Sequence, residues 1–183
     1  MDKKSFYDTV RERHSCRGFL SDEIPQDIID SVLIDAQFSP SNCNTQPWNV
    51  HIVSGQKQKV LSKKLILAHN KELFNPDFTF DTNAFSGRYK EKMFAQGKAY
   101  YQGLGILRED REGRDIANLK NFNFYNAPCV ALLFMPIVGD CVRIASDIGM
   151  YAQTFLLSLT AHGLSGVPQT VLGFYPDIIR EHL

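Results

Sequence analysis

Residues 143–162 carry more apolar surface than a helix on the outside of a protein can use. Ile144, Ile148, Tyr151, Ala152, Phe155, Leu156 and Leu159 recur on one side at helical spacing, while Met150 and Leu157 lie elsewhere around the circumference. A helix that is apolar over most of its surface has to be buried over most of it. The remaining elements must therefore wrap around it, and a second subunit can complete the cover.

Length and composition fit one domain over residues 1–183, since 44% hydrophobic and 22% charged residues suit a chain that buries a sizeable core and exclude disorder over most of it. Twenty basic and twenty acidic residues cancel, so bulk charge points to neither a nucleic acid nor an anionic membrane, and any anion site has to be local. The N-terminal "MDKKSFYDTVRER" lacks the apolar stretch of a signal peptide, and the longest apolar run, "CVALLFMPIV", is too short to span a bilayer. The expected location is cytoplasmic. Cys16, Cys43, Cys129 and Cys141 form no Cys-x-x-Cys pair, which reads as four free thiols and no metal centre, with Cys129 in the core and Cys43 open to a ligand.

Ahead of the apolar helix, Phe6, Tyr7 and Val10 suggest a first helix, and Ile28 to Ala36 a second, with Pro25 in its first turn. "NVHIV" reads as a strand ending near Ser54, "QKQKVLSKKLILAHNKEL" as a basic-faced helix, and "FNPDFTFDTNAF" as a surface excursion without a period. Another helix is expected over 86–106, then a charged break at "REDREGRD", the aromatic-rich "NFNFYNAP" and a buried strand over 129–135. Pro176 opens a last helical pattern, "PDIIREHL", that stops at Leu183 without a capping glycine or polar tail, as in a piece of a longer chain.

Three segments could carry chemistry. "RERHSCRGF" crowds Arg11, Arg13, His14 and Arg17 around Ser15, a mixture suited to phosphate through charge-assisted bonds; a solvated basic helix end is the alternative. "SPSNCNTQPW" is too long and too rich in hydroxyl and amide groups for a plain helix-to-strand connection. Its Ser39, Ser41, Asn42, Asn44, Thr45 and Gln46 suit a heterocycle edge or a ribityl chain, or else a long turn satisfying its own backbone. "GLSGVPQTV" lets backbone approach a flat ligand, or is simply a tight helix-to-strand turn.

In combination these segments resemble the FMN-dependent nitroreductase family. "RERHSCRGF" is similar to its Arg-x-Ser-x-Arg-type phosphate segment, "SPSNCNTQPW" to its Ser-x-x-Asn-x-Gln-Pro-Trp loop and "GVPQT" to its Pro-Gln segment beside the flavin. "YYQGLGILREDREGR", "NFNFYNAP" and the helix carrying Asp147, Gly149 and Gln153 extend the likeness along nearly the whole chain. The resemblance implies an α+β fold, a mixed, mainly antiparallel sheet flanked by helices, in an intertwined homodimer with two flavins at the subunit interface. It implies that Arg13, Ser15 and Arg17 hold the FMN phosphate and ribityl end with the backbone of His14, and that Ser41, Asn42, Asn44 and Gln46 approach the flavin, some from the other subunit. Pro168, Gln169 and Thr170 would line the isoalloxazine, with a backbone N–H near Thr170 or Val171 directed at N5. Family members continue beyond this point with basic residues that reach the phosphate, which implies a truncated C-terminus.

The implied activity is ping-pong transfer of hydride from NADH or NADPH through flavin N5 to a small, planar, electron-poor acceptor, a nitroaromatic or a quinone, with no indispensable acid, base or nucleophile among the side chains. Phe78, Phe80, Phe85, Tyr89 and Phe94 are candidate stacking walls for the acceptor, or else core packing. Reductive dehalogenation on a related fold and non-catalytic flavin binding are the alternatives.

Overall fold

The computed structural model describes residues 4–183. Its contacts group the chain into two compact units, the described part of Met1–Val60 with Tyr125–Gln169, and Leu61–Phe124 with Thr170–Leu183.

The first unit is organised on the long apolar helix. α1 (Phe6–Glu12) starts at Ser5, whose hydroxyl accepts the Asp8 N–H at 3.2 Å, and α2 (Gln26–Gln37) follows Pro25. β1 (Asn49–Ser54) runs antiparallel to β2 (Cys129–Phe134) with Asn49 opposite Phe134 and Ser54 opposite Cys129. α6 (Val142–Ala161) lies within one residue of its expected span and packs against α1 and α2. Val32 and Ala36 of α2 are buried, as their periodicity predicts. On α1 the buried residue is Thr9, while Phe6, Tyr7 and Val10 face outward. The apolar stripe of this helix is thus turned away from the core of its own chain.

α3 (Gly55–Asn70) begins in the first unit and continues into the second, where Leu61 and Leu65 are fully buried. Beside them His69, Phe122 and Tyr175 form a ring cluster, with His69 Nδ1 3.0 Å from the Tyr175 hydroxyl and 4.5 Å between the His69 and Phe122 ring centroids. α4 (Gly87–Gly103) has no buried residue. α7 (Pro176–His182) starts with its proline at the first helical position, where the missing N–H is not needed.

Two expectations fail here. β2, expected as a buried strand, is half-buried along most of its length, with Leu132 buried and Ala131 exposed. The charged stretch "REDREGRD" is no break: from Arg111 onward it is helical as α5 (Arg111–Leu119). Asp110 caps it by accepting the Gly113 N–H at 2.8 Å, and Ala117 is its buried residue. Charge hid the helix because its apolar residues, Ile116, Ala117 and Leu119, all fall in the last turn, behind a first turn made of charges and a glycine.

Candidate functional site

α1 ends at Arg13, and the chain then runs extended past Ser15 to the residues that follow α6. Gly163, at φ 75°, closes α6 in the left-handed conformation that a glycine adopts without penalty, with Leu164 N–H donating back to the Leu159 carbonyl at 2.8 Å. This turn returns the chain so that Gly166 pairs in parallel with Ser15, and the Cys16 N–H donates to the Gly166 carbonyl at 3.3 Å. The backbone at Gly166 lies close on α6: a Cβ there would be 3.0 Å from Leu159 Cδ1 and 3.1 Å from Leu156 Cδ2, so those side chains would have to shift by a few tenths of an ångström to admit one. Two of the three segments picked out in the sequence, "RERHSCRGF" and "GLSGVPQTV", are therefore neighbours on the C-terminal half of α6.

Arg13 is the C-cap of α1, and Ser15 and Arg17 follow it at every second residue, the spacing that puts side chains on one side where backbone is extended. The His14 ring lines a cavity of about 350 Å³ with Lys4, Glu12, Thr160, Gly163, Leu164 and Ser165. Its Nδ1 lies 2.8 Å from the Glu12 carbonyl, which requires a proton on that nitrogen.

The third segment is held farther toward the N-terminal end of α6. Asn42 N–H donates to both carboxylate oxygens of Asp147, at 3.1 Å each, and the Ser39 hydroxyl donates to Thr154 Oγ1 at 2.9 Å. The Trp48 ring stacks on Tyr151 at 4.9 Å, and its Nε1–H donates to Gln37 at 2.8 Å. Within the loop, Gln46 N–H donates to Ser41 Oγ at 2.9 Å, Thr45 Oγ1 to the Asn42 carbonyl at 3.0 Å, and Gln46 Nε2 to Asn44 Oδ1 at 2.8 Å. Cys43, Asn44 and Gln46 have φ of 53°, 55° and 46°, the left-handed region, at a cost of about 1 kcal/mol or more each. Only a well-tethered loop persists in such a conformation.

Asp147, Tyr151, Thr154 and Ser158 are spaced by four, three and four residues, which places them on one stripe of α6. Asp147 is 3% exposed and Ser158, also buried, donates to Asp35 at 2.6 Å. The buried Tyr151 hydroxyl has no hydrogen-bonding partner among the described residues, and burial pushes its pKa up. Sequence reasoning missed this polar stripe because it looked for apolar periodicity. The signal was there, in polar side chains recurring at helical spacing within an apolar helix.

Asn42, Asn44 and Gln46 are exposed, Ser41 is half-buried, and Cys43 is exposed as expected. Cys129 is only half-buried, with its thiol pushed up by desolvation. Pro168 and Gln169 follow Gly166 after Val167, and Thr170 caps a 3-10 turn, Val171–Phe174, in place of a strand. In the second unit Phe78 and Phe80 pack on Phe174, with centroids 6.1 and 5.3 Å apart.

The backbone tie of Asn42 is at Asp147, nine residues from Leu156 and twelve from Leu159, or about 14–18 Å along α6 at the helical rise, while Thr154 and Tyr151, which hold Ser39 and Trp48, lie nearer to them.

A family model described as the Nitroreductase family matches residues 10–183. Nitroreductase NfnB of Mycolicibacterium smegmatis is 39% identical over 174 residues, which cover 95% of this chain and 74% of that protein. A 4-nitrobenzoate reductase of Pseudomonas putida is 31% identical over 176 residues, 95% of this chain and 76% of that one. The crystal structure of the FMN-dependent nitroreductase NfnB from Mycobacterium smegmatis in complex with NADPH superposes with a TM-score of 0.93 at 38% identity, over 96% of this chain and 79% of that one. The same α+β architecture, with an antiparallel strand pair flanked by helices, accompanies a sequence match that begins in α1 and takes in all three polar segments, and the chain belongs to the nitroreductase family.

Proposed function

We propose that this chain is an FMN-dependent NAD(P)H oxidoreductase that reduces nitroaromatic or quinone-type acceptors in a ping-pong cycle, as a cytoplasmic homodimer. The observation that supports this reading is the pairing of Ser15 with Gly166, a backbone bridge between the segment that carries Arg13 and Arg17 and the one that leads to Pro168 and Gln169. The donor set fits FMN. Arg13 and Arg17 offer guanidinium forks and Ser15 a hydroxyl to a phosphate monoester, with the backbone of His14 between them. Pro168, Gln169 and Thr170 supply a flat wall and backbone donors for the isoalloxazine.

The site is read as shared between two copies, in which Ser41, Asn42, Asn44 and Gln46 of one chain face the flavin held by the other; the tie of Asn42 to Asp147, toward the N-terminal end of α6 and away from Gly166, supports this. After the bonds inside the loop are counted, the Ser41 hydroxyl proton, Asn44 Nδ2 and Gln46 Oε1 remain for a ligand edge. A dimer also covers what the single chain leaves outside: Phe6 is 71%, Ile34 60% and Phe38 83% exposed, on the two helices that pack against α6. The described residues contain no helix long and apolar enough to cross a membrane.

The chemistry that FMN supplies when bound is hydride acceptance from NAD(P)H and two-electron delivery to the acceptor. The protein's own task is to hold the phosphate, orient the ring and leave one face open for donor and acceptor in turn. Steady-state rates with NADPH and a nitroaromatic varied together test this: parallel double-reciprocal lines support the cycle, and intersecting lines contradict it. Turnover of a halophenol but not of nitroaromatics or quinones would favour dehalogenation. A flavin-loaded protein inert toward all three would favour simple flavin binding.

A further inference from the structure

We propose that Asp147 is a positioning residue for the cofactor, acting through the backbone of Asn42 to hold residues 41–46 in their left-handed shape. This rests on the reading that these residues form a flavin wall. A carboxylate removed from water needs several donors, yet the buried Asp147 has both its oxygens on one N–H, at 3.1 Å each. An amide or a hydroxyl would accept that N–H at lower desolvation cost. What a full negative charge adds is a stronger, charge-assisted bond at the entry of a turn in which Cys43, Asn44 and Gln46 all have positive φ.

Among the described residues, the bonds of Ser41 with Gln46, Asn42 with Thr45 and Asn44 with Gln46 close the turn on itself, and the Asp147 tie is the one that carries it to α6. The tie sits at the start of the turn, ahead of every left-handed residue. With it gone, the internal bonds can survive while the turn swings as a piece, so that Asn44 and Gln46 keep their chemistry and lose their aim. Asp147 never touches the ligand in this account.

Proline at position 42 removes the N–H without a clash at the residue before it, because Ser41 at φ −143°, ψ 156° has the extended conformation that a residue before proline prefers. Asp147→Ala, Asp147→Asn, Asn42→Pro, their Ala/Pro double variant and Asn42→Ala as a side-chain control form the test set. Amide hydrogen exchange on the FMN-free protein is read first. Asp147→Ala and Asn42→Pro are expected to speed exchange at Asn44, Thr45 and Gln46 by roughly tenfold or more, with the β1 amides unchanged. Free FMN is then titrated, and both variants are expected to weaken its retention roughly tenfold to hundredfold, the reach of one charge-assisted hydrogen bond. The double variant should be no worse than either single one, and Asp147→Asn, which keeps one accepting oxygen, should fall between wild type and Asp147→Ala.

Wild-type exchange at residues 44–46 in both single variants, or additive losses in the double, would overturn the proposal. Should Asp147→Ala loosen β1 as well, the comparison passes to Asp147→Asn and Asn42→Pro, where unchanged exchange still overturns it. Faster exchange with unchanged FMN retention refutes the flavin-wall reading and the cofactor role of Asp147 with it. Loss of retention alone, with wild-type exchange, refutes the positioning route and leaves the wall standing.

Discussion

Two irregular segments of similar length, residues 39–48 and 75–85, are held by different physics. The first is fastened to α6 mainly by directed bonds to Asp147 and Thr154, with one ring stack, Trp48 on Tyr151, at its end. The second is held by rings and ions: Phe78 and Phe80 lean on Phe174, the Asn75 N–H donates to the Phe174 carbonyl at 3.1 Å, and Asp77 pairs with Arg180 at the surface. Directional bonds fix one geometry and fail one at a time, whereas ring contacts accept small shifts and weaken gradually. A segment that must present particular atoms to a cofactor needs the first kind. One that only packs against its neighbours manages with the second.

The largest expected effect comes from removing the indole that closes the polar loop. Trp48→Ala strips the stack on Tyr151 and the bond to Gln37, and should lower stability by about 2–4 kcal/mol, below the fully buried range because Trp48 is half-buried. Phe174→Ala, the matching change under the second segment, should cost about 1–3 kcal/mol and leave exchange at residues 41–46 unchanged. Urea unfolding measures both. Arg17→Ala should leave stability nearly untouched and weaken FMN retention by roughly 1.5–3 kcal/mol; unchanged affinity would remove Arg17 from the phosphate site.

Smaller still is Arg180→Gln, which breaks an exposed fork to Asp77 and Asp177. Its effect on the urea midpoint should be less than that of Phe174→Ala and should vanish in about 1 M salt, because exposed pairs are screened. The last effect appears only in alkali. Burial raises the pKa of Tyr151 and of Tyr175 above the ordinary 10.0, so the folded state holds these protons after the unfolded chain has released them. Their contribution is intact below about pH 10 and is lost as pH climbs through the raised folded values. Tyr151→Phe should therefore flatten the alkaline fall of the unfolding midpoint while leaving neutral pH little changed.

Much of this was legible in the sequence because apolar period and turn chemistry are local. α6, α2, β1 and the start of α7 at Pro176 follow from spacing alone, and the three polar segments stand out by residue type. Their placement was not legible. That Ser15 pairs with Gly166 depends on a left-handed turn at Gly163 and on the close approach of the Gly166 backbone to α6, and nothing local announces the partner. α5 was hidden by its charges, and the outward face of α1 by an assumption that amphipathic means buried in the same chain. Asp147 was visible as a residue, but its task depends on a backbone N–H more than a hundred positions away.

The most direct measurement is the visible absorption spectrum of the purified chain after addition of excess FMN and removal of what is unbound, followed anaerobically through NADPH and then a nitroaromatic. The expected result is retained flavin absorption that NADPH bleaches and the nitroaromatic restores, with the colour lost in Arg17→Ala. A colourless wild-type protein, or bound flavin that NADPH and NADH both fail to bleach, would contradict it.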